Sequence, residues 1–192
     1  MKLTDIYQTL EDRQNYSEIE NNGPYFCSEK DKNGLLKKGV KEPWLGEGYY
    51  FWDTRIEDAQ WWGITVYGRK GYVVCHTIYD QHSPFLYDLV GDVSLFDEFI
   101  ACAEFIKQKL KKNIITFPVV LRYLKDKANF NYKAIRVWPY PNKIEKTSVK
   151  FPDYRMELAK ANKIQICFFD KTLLTKPYRI VFKQSFLENQ TI

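Results

Sequence analysis

The run Trp44-Leu45-Gly46-Glu47-Gly48-Tyr49-Tyr50-Phe51-Trp52-Asp53 constrains this chain more than any other stretch. Two glycines bracket a loop, because glycine is favoured where the backbone must turn or approach another segment closely. Four aromatic residues follow without a break, and side chains of that type suit a pleated, half-buried strand. Asp53 and Thr54 are then expected to cap a helix over 55–67, where Ile56, Ala59, Trp62 and Val66 share one face. Burial of that face predicts Ala59 and Trp62 as core residues, with Trp62 packing the helix onto a sheet. A loop, a strand and a sheet-covering helix are thus expected within about one turn of each other.

The rest of the chain alternates less regularly. Thr4 is an N-cap candidate, and Ile6, Tyr7 and Leu10 lie at helical spacing, so a short amphipathic helix is expected over 4–13, within an N-terminal helical extension of residues 1–22 ended by Asn21-Asn22-Gly23-Pro24. Tyr25-Phe26-Cys27 reads as a short buried strand, and Lys30 to Lys38 as a helix closed by Gly39. Strands are expected over 71–79, 85–90, 132–138, 163–169 and 178–182. Phe96, Phe99, Ile100, Ala103, Ile106 and Leu110 mark a helix over 93–110 whose final lysines complement its dipole. Pro118 suits the first turn of another helix through Lys125. No repeat or glycine-serine linker divides the sequence, so its 192 residues are expected to form a single domain, 1–192. Strict strand-helix alternation is missing, which favours α+β over a doubly wound parallel sheet.

Composition removes several classes. Charged residues at 28% and hydrophobic residues at 45% exclude disordered, collagen-like and coiled-coil chains. The start carries no apolar leader and no apolar run approaches the roughly 20 residues of a membrane span, so neither secretion nor membrane anchoring is expected. Cys27, Cys75, Cys102 and Cys167 form no Cys-x-x-Cys pair and read as reduced thiols of a cytoplasmic protein. His76 and His82 are the only histidines, and no spacing adds ligands to them, so no metal is expected. The phosphate-loop and nucleophile-elbow motifs are missing. The net charge of +5 permits an anionic partner without requiring nucleic acid. Aromatic residues reach 17%, enough to line a site for planar ligands as well as a core.

Taken in order, the motifs resemble the ADP-ribosyltransferase-like fold of bacterial toxins and poly(ADP-ribose) polymerases. The series is Tyr25-Phe26-Cys27-Ser28, then Trp44 through Phe51, Ala59-Gln60-Trp61-Trp62-Gly63, Asp88-Leu89, Tyr132-Lys133-Ala134-Ile135-Arg136, and Lys163-Ile164-Gln165-Ile166. The resemblance spans most of the chain and implies a split antiparallel sheet with flanking helices. It implies NAD as substrate and transfer of ADP-ribose to a macromolecular acceptor, protein or nucleic acid, as in a toxin or defence effector with a neutralising antitoxin partner. It assigns Tyr50 and Gln165 to catalysis: Tyr50 stacking on nicotinamide, and Gln165 bonding the nicotinamide-ribose hydroxyl. It assigns Phe26, Cys27, Ser28, Gly46, Gly48, Tyr49, Tyr50 and Arg136 to the cofactor.

Two departures stand out. Phe26 replaces a usual histidine and can pack on a ribose but not hydrogen-bond it, leaving Ser28 to supply part of that bonding. Gln165 replaces the glutamate of many transferases, so no fixed carboxylate faces the developing oxocarbenium. A charge about 4 Å away at an effective dielectric of ~20 is worth roughly 4 kcal/mol. The alternative is a degenerate member that binds NAD, ADP-ribose or nucleic acid without catalysis; a third is an interaction domain whose aromatic residues are only core.

Overall fold

A computed structural model describes residues 1–111, 114–139, 148–150, 157–159 and 163–185. The described chain is α+β: one seven-stranded sheet, a separate two-stranded ribbon and four helices. The strands of the large sheet are β1 (Leu3–Glu11), β2 (Tyr49–Asp53), β3 (Tyr72–Asp80), β4 (Leu86–Asp88), β5 (Ala134–Val137), β8 (Gln165–Phe168) and β9 (Leu174–Gln184), in the order β4-β5-β8-β2-β1-β3-β9. The ribbon pairs β6 (Ser148–Lys150) with β7 (Glu157–Ala159). The helices are α1 (Tyr16–Asn22), α2 (Ile56–Tyr67), α3 (Val93–Leu110) and α4 (Phe117–Lys127). All neighbours in the large sheet run antiparallel except β4 and β5, which are parallel, so the expected wholly antiparallel sheet becomes a mixed one.

The middle of the sheet carries the feature that positions the site. β1 pairs with β3 along its whole length, from Leu3 opposite Asp80 to Glu11 opposite Tyr72. Against β2 it pairs only at Ile6 opposite Asp53 and Tyr7 opposite Trp52. Beyond Tyr7 the two strands part, and Gln8, Thr9 and Leu10 line one side of the opening while Tyr50 and Phe51 line the other.

Residues directly opposite in a ladder share a face, so the register sorts the core. Ile6, Phe51, Val73, Cys75, Ile166 and Phe168 pack on one face with Ile19 of α1 and Tyr178 of β9. On the other face α2 covers Trp52, Tyr72 and Val74, while α3 and α4 cover Ile135, Val137 and Cys167. The strip between those helices, over β2 and β8, is left to shorter loops.

Several sequence expectations change here. Residues 4–13 are not helical: β1 occupies 3–11 because Thr4, Ile6 and Gln8 alternate inward, two of them polar. Helix α1 is confined to seven residues after it. Tyr25-Phe26-Cys27 is not a ladder strand but touches the sheet through a single bridge, Cys27 opposite Gly48, with backbone bonds of 2.8 and 3.1 Å. Residues 30–38 form no helix; the Asp31 carboxylate accepts from Asn33 N and Leu35 N around Gly34 at φ +81°, a local turn. The cap expected from Asp53 and Thr54 is also different. Arg55 is the N-cap residue, without a side-chain bond, and the Asp53 carboxylate is engaged elsewhere.

On α2, Ala59 is fully buried and its carbonyl accepts from Thr9 Oγ1 at 2.8 Å, but Trp62 is not core, being 37% exposed. Gly63 takes the packing position instead: a Cβ there would lie 2.3 Å from the Tyr72 ring, so the helix sits on the sheet through its absent side chain. Strands β6 and β7 were not expected, and β9 begins four residues before the expected 178; α2, α3, α4, β3, β4, β5 and β8 lie close to where periodicity and turn residues put them, α3 with its Asp92 carboxylate accepting from Leu95 N at 3.1 Å. No disulfide forms among the cysteines; Cys75 and Cys167 are buried, Cys102 is partly buried, and Cys27 is exposed rather than core.

Candidate functional site

A cleft of about 490 Å³ opens where β1 and β2 part. Its walls come from β1 (Gln8, Thr9, Leu10), the 25–27 segment, Pro43 and Trp44, β2 (Tyr50, Phe51, Trp52), α2 (Trp62, Tyr67) and Gln165 of β8. Tyr50 and Gln165, far apart in sequence, therefore line the same cavity. They do so because Tyr50 stands opposite Cys167 and Trp52 opposite Gln165 across β2 and β8, which turns all four side chains to one face.

Each of the two is fixed by the loop preceding β2. Trp44 Nε1 donates to Gln165 Oε1 at 2.7 Å, so the carboxamide oxygen is held and the amide nitrogen is the group left to donate to a ligand. The Tyr50 hydroxyl accepts from Leu45 N at 2.8 Å and donates to Gly46 O at 2.7 Å. Burial pushes that phenol far above its ordinary range, so Tyr50 stays neutral and offers the cleft a flat wall, not a base. Cys27 also lines the cleft, and removal of water from its sulfur raises its thiol above the ordinary value, which disfavours a nucleophilic thiolate. Phe26, 48% exposed, stands at the rim with its ring edge-on to Tyr49 at 5.0 Å.

Four residues expected at the cofactor lie elsewhere. Tyr49 stands opposite Phe168 and turns to the other face of the sheet, against the core containing Ile6 and Phe51. Ser28 gives its hydroxyl to the Glu47 carboxylate and accepts from Lys30 N, which ties two loops together outside the cleft. Gly46 and Gly48 permit close approaches within the protein rather than to a ligand. Gly46 holds φ +80° in the turn that Tyr50 closes, and a Cβ on Gly48 would lie 2.4 Å from Cys167 Sγ and 2.6 Å from Phe168 O.

Arg136 is also displaced from the cleft. It is aligned with Ile166 across β5 and β8, hence on the face opposite Tyr50 and Gln165. Its Nε donates to Asp53 Oδ2 at 2.7 Å and its Nη1 to Asp88 at 3.1 and 3.2 Å, joining β5, β2 and β4. The two carboxylates outweigh its burial and hold the guanidinium pKa above the ordinary value.

Gln8 was not foreseen. Its Nε2 donates to Tyr25 O at 3.0 Å and to Tyr50 O at 3.2 Å; its Oε1 accepts from Tyr25 N at 2.9 Å and from Tyr178 OH at 2.8 Å. All four capacities of one amide thus bind the 25–27 wall, β2 and β9 across the opening. An isolated glutamine in an apolar strand was the available signal, hidden by reading 4–13 as helix.

The lining contains no Asp, Glu, Lys, Arg or His. It can stack planar rings, attract a delocalised cation through aromatic faces, and donate a neutral hydrogen bond through the Gln165 amide nitrogen. Among the described residues no group of His, Cys, Asp and Glu is gathered to hold a metal, and His76 instead contacts Asp5 at 2.7 Å. Among the same residues no helix is long and apolar enough to cross a membrane. Compared with known proteins, the chain matches no family model, no curated protein and no solved structure.

Proposed function

We propose that the cleft binds NAD and that the chain transfers ADP-ribose from it to a macromolecular acceptor, in the manner of the ADP-ribosyltransferase-like proteins its motifs resemble. The observation that supports this reading best is the convergence of Tyr50 and Gln165 on one aromatic cavity at the point where β1 and β2 part. The chemistry is self-consistent. An aromatic, uncharged lining favours the cationic nicotinamide ring, and the Gln165 amide nitrogen donates to a ribose hydroxyl. The bond from ribose C1′ to nicotinamide nitrogen breaks, nicotinamide leaves neutral with the electron pair, and an acceptor nucleophile bonds C1′ while releasing its proton to solvent.

One observation favours a second reading, binding of NAD or ADP-ribose without turnover. No carboxylate lines the cleft to stabilise an oxocarbenium. Two measurements separate the readings. NAD should raise the melting temperature, since a ligand bound only by the folded chain stabilises it, and nicotinamide should accumulate when the protein is incubated with NAD. Gln165→Ala should abolish nicotinamide release while leaving the fold intact. A melting shift with no nicotinamide leaves the binding reading; no shift with any NAD analogue removes both.

A further inference from the structure

The polar groups of the cleft lining are unequally spent. Gln8 uses all four of its bonding capacities within the protein, the Thr9 hydroxyl donates to Ala59 O at 2.8 Å, and the Tyr50 hydroxyl both accepts and donates. Gln165 is engaged at one end only. Its Oε1 accepts from Trp44 Nε1 at 2.7 Å, while among the described residues no protein group bonds its Nε2, and that nitrogen is open rather than sealed in the interior. Trp52 and Trp62 add no acceptor to the lining, because an indole N–H can only donate.

The same one-sidedness of an indole decides which way the Gln165 carboxamide lies. Turning the amide over would set N–H against N–H and leave the Trp44 donor unpaired among apolar rings, so the reversed state is disfavoured about tenfold or more. Trp44 is itself anchored. Its ring lies edge-on to Phe117 of α4 at 5.6 Å, and the next residue, Leu45, is fully buried with its N–H bonded to the Tyr50 hydroxyl. Gln165 is placed by two ladders, opposite Trp52 on β2 and Val137 on β5. The pair is thus fixed from both sides before any ligand arrives.

We infer that Trp44 is a positioning residue that sets the polarity of the cleft: it reserves the Gln165 oxygen, so a ligand meets the amide nitrogen and must bring a hydrogen-bond acceptor to it. The class selected is a planar ring with a carbonyl, ring-nitrogen or other acceptor edge, and a ring whose only polar edge is an N–H is disfavoured. The consequence for NAD rests on the reading above; the polarity of the site does not. There the ribose hydroxyl accepts from Gln165 instead of donating to it, and the positive end of the amide dipole faces the charge developing at C1′, which slows turnover.

Isoquinoline and indole test this, since both are flat bicyclic rings of similar size, one with a ring acceptor and the other with a ring donor. Their dissociation constants are read above neutral pH, where isoquinoline is uncharged, from the side-chain amide and indole resonances of the nitrogen-labelled protein. Isoquinoline should bind the wild type about tenfold tighter than indole and shift the Gln165 amide resonance, which Gln165→Ala identifies by its loss. Trp44→Phe keeps a ring against Phe117 but frees the amide to turn, so the preference should fall well below that. Gln165→Glu leaves Trp44 in place and should reverse the preference toward indole, because a carboxylate only accepts; adding Trp44→Phe to it should change little, since the two carboxylate oxygens are equivalent. Equal binding of the two rings by the wild type, binding of neither, an unchanged preference in Trp44→Phe, or a Gln165→Glu variant that still favours isoquinoline overturns the inference. Ring preferences that hold while NAD gives neither a melting shift nor nicotinamide would instead refute the NAD reading and leave the polarity of the cleft standing. With NAD turned over, Gln165→Glu should release nicotinamide faster than the wild type, and slower release refutes the dipole argument.

Discussion

Arg136→Met decides between a ligand contact and a tie within the sheet. The guanidinium is 10% exposed, its partner Asp53 1% and Asp88 16%, so the trio belongs with buried ion pairs rather than surface ones. Surface pairs are worth about 0–1 kcal/mol. Removing one partner of a buried pair costs about 3–5 kcal/mol, because the other charge is left without compensation. Methionine fills much of the space, yet Asp53 and Asp88 would then be left on the same face of the sheet without a cation between them. At about 2–4 °C per kcal/mol for a chain of this size, the melting temperature should fall by roughly 6–20 °C. Urea unfolding and calorimetry measure the loss, and adding Asp53→Asn should restore part of it. A variant that melts as wild type but no longer responds to NAD would refute the argument, because Arg136 would then act at the cleft and not on the opposite face.

Three other perturbations follow from the geometry. Gln8→Leu strands Tyr25 N, two carbonyls and the Tyr178 hydroxyl at about 1–3 kcal/mol for each partner left dry, and limited proteolysis should then cut within 24–28 faster. Gly48→Ala should destabilise by at least about 1–3 kcal/mol by urea unfolding, and Cys167→Ala should not rescue it, since the Phe168 carbonyl remains 2.6 Å from the added carbon. Burial outweighs the Lys163 N–H bond and the nearby Arg55 charge and raises the Asp58 carboxyl pKa. The unfolded chain therefore loses that proton first as pH rises, and this group's contribution to stability declines upward through the carboxylate range. The melting temperature of Asp58→Asn relative to wild type should thus improve between about pH 4 and 7, and a gain that shrinks with pH would contradict this.

What the sequence revealed depended on how far each signal reaches along the chain. Helix α3 and strand β2 carry theirs locally, in the spacing of Phe99 and Ile106 and in four consecutive aromatic residues. Strand β1 concealed its period of two because Thr4 and Gln8, both polar, occupy inward positions, while Ile6, Tyr7 and Leu10 happen to fall at helical spacing. Over 30–38 the Asn33-Gly34 pair forms a turn held by the Asp31 carboxylate, and the segment stays exposed, with no buried face to sustain the helix expected there. The cleft pair Tyr50 and Gln165 could be named from motif order. The role of Arg136 could not, since Asp53 and Asp88 reach it only through strand pairing. Glycine positions were right in kind and wrong in object: Gly48 makes room for β8, not for a ligand.

The order in which strands join the sheet bears on how the protein is made. β3 is flanked by β1, which precedes it, and by β9, among the last strands synthesised. Tyr178 on β9 supplies one of the four bonds of Gln8, and Gln8 in turn anchors the wall at Tyr25. With synthesis at about 5–20 residues per second, a nascent chain holding everything through α4 and β5 keeps an open edge on β3 and an unfinished wall for some seconds, until β9 follows. The wall at Tyr25 therefore gains its full set of bonds only after translation has passed residue 178, well after both strands that flank the opening have been made.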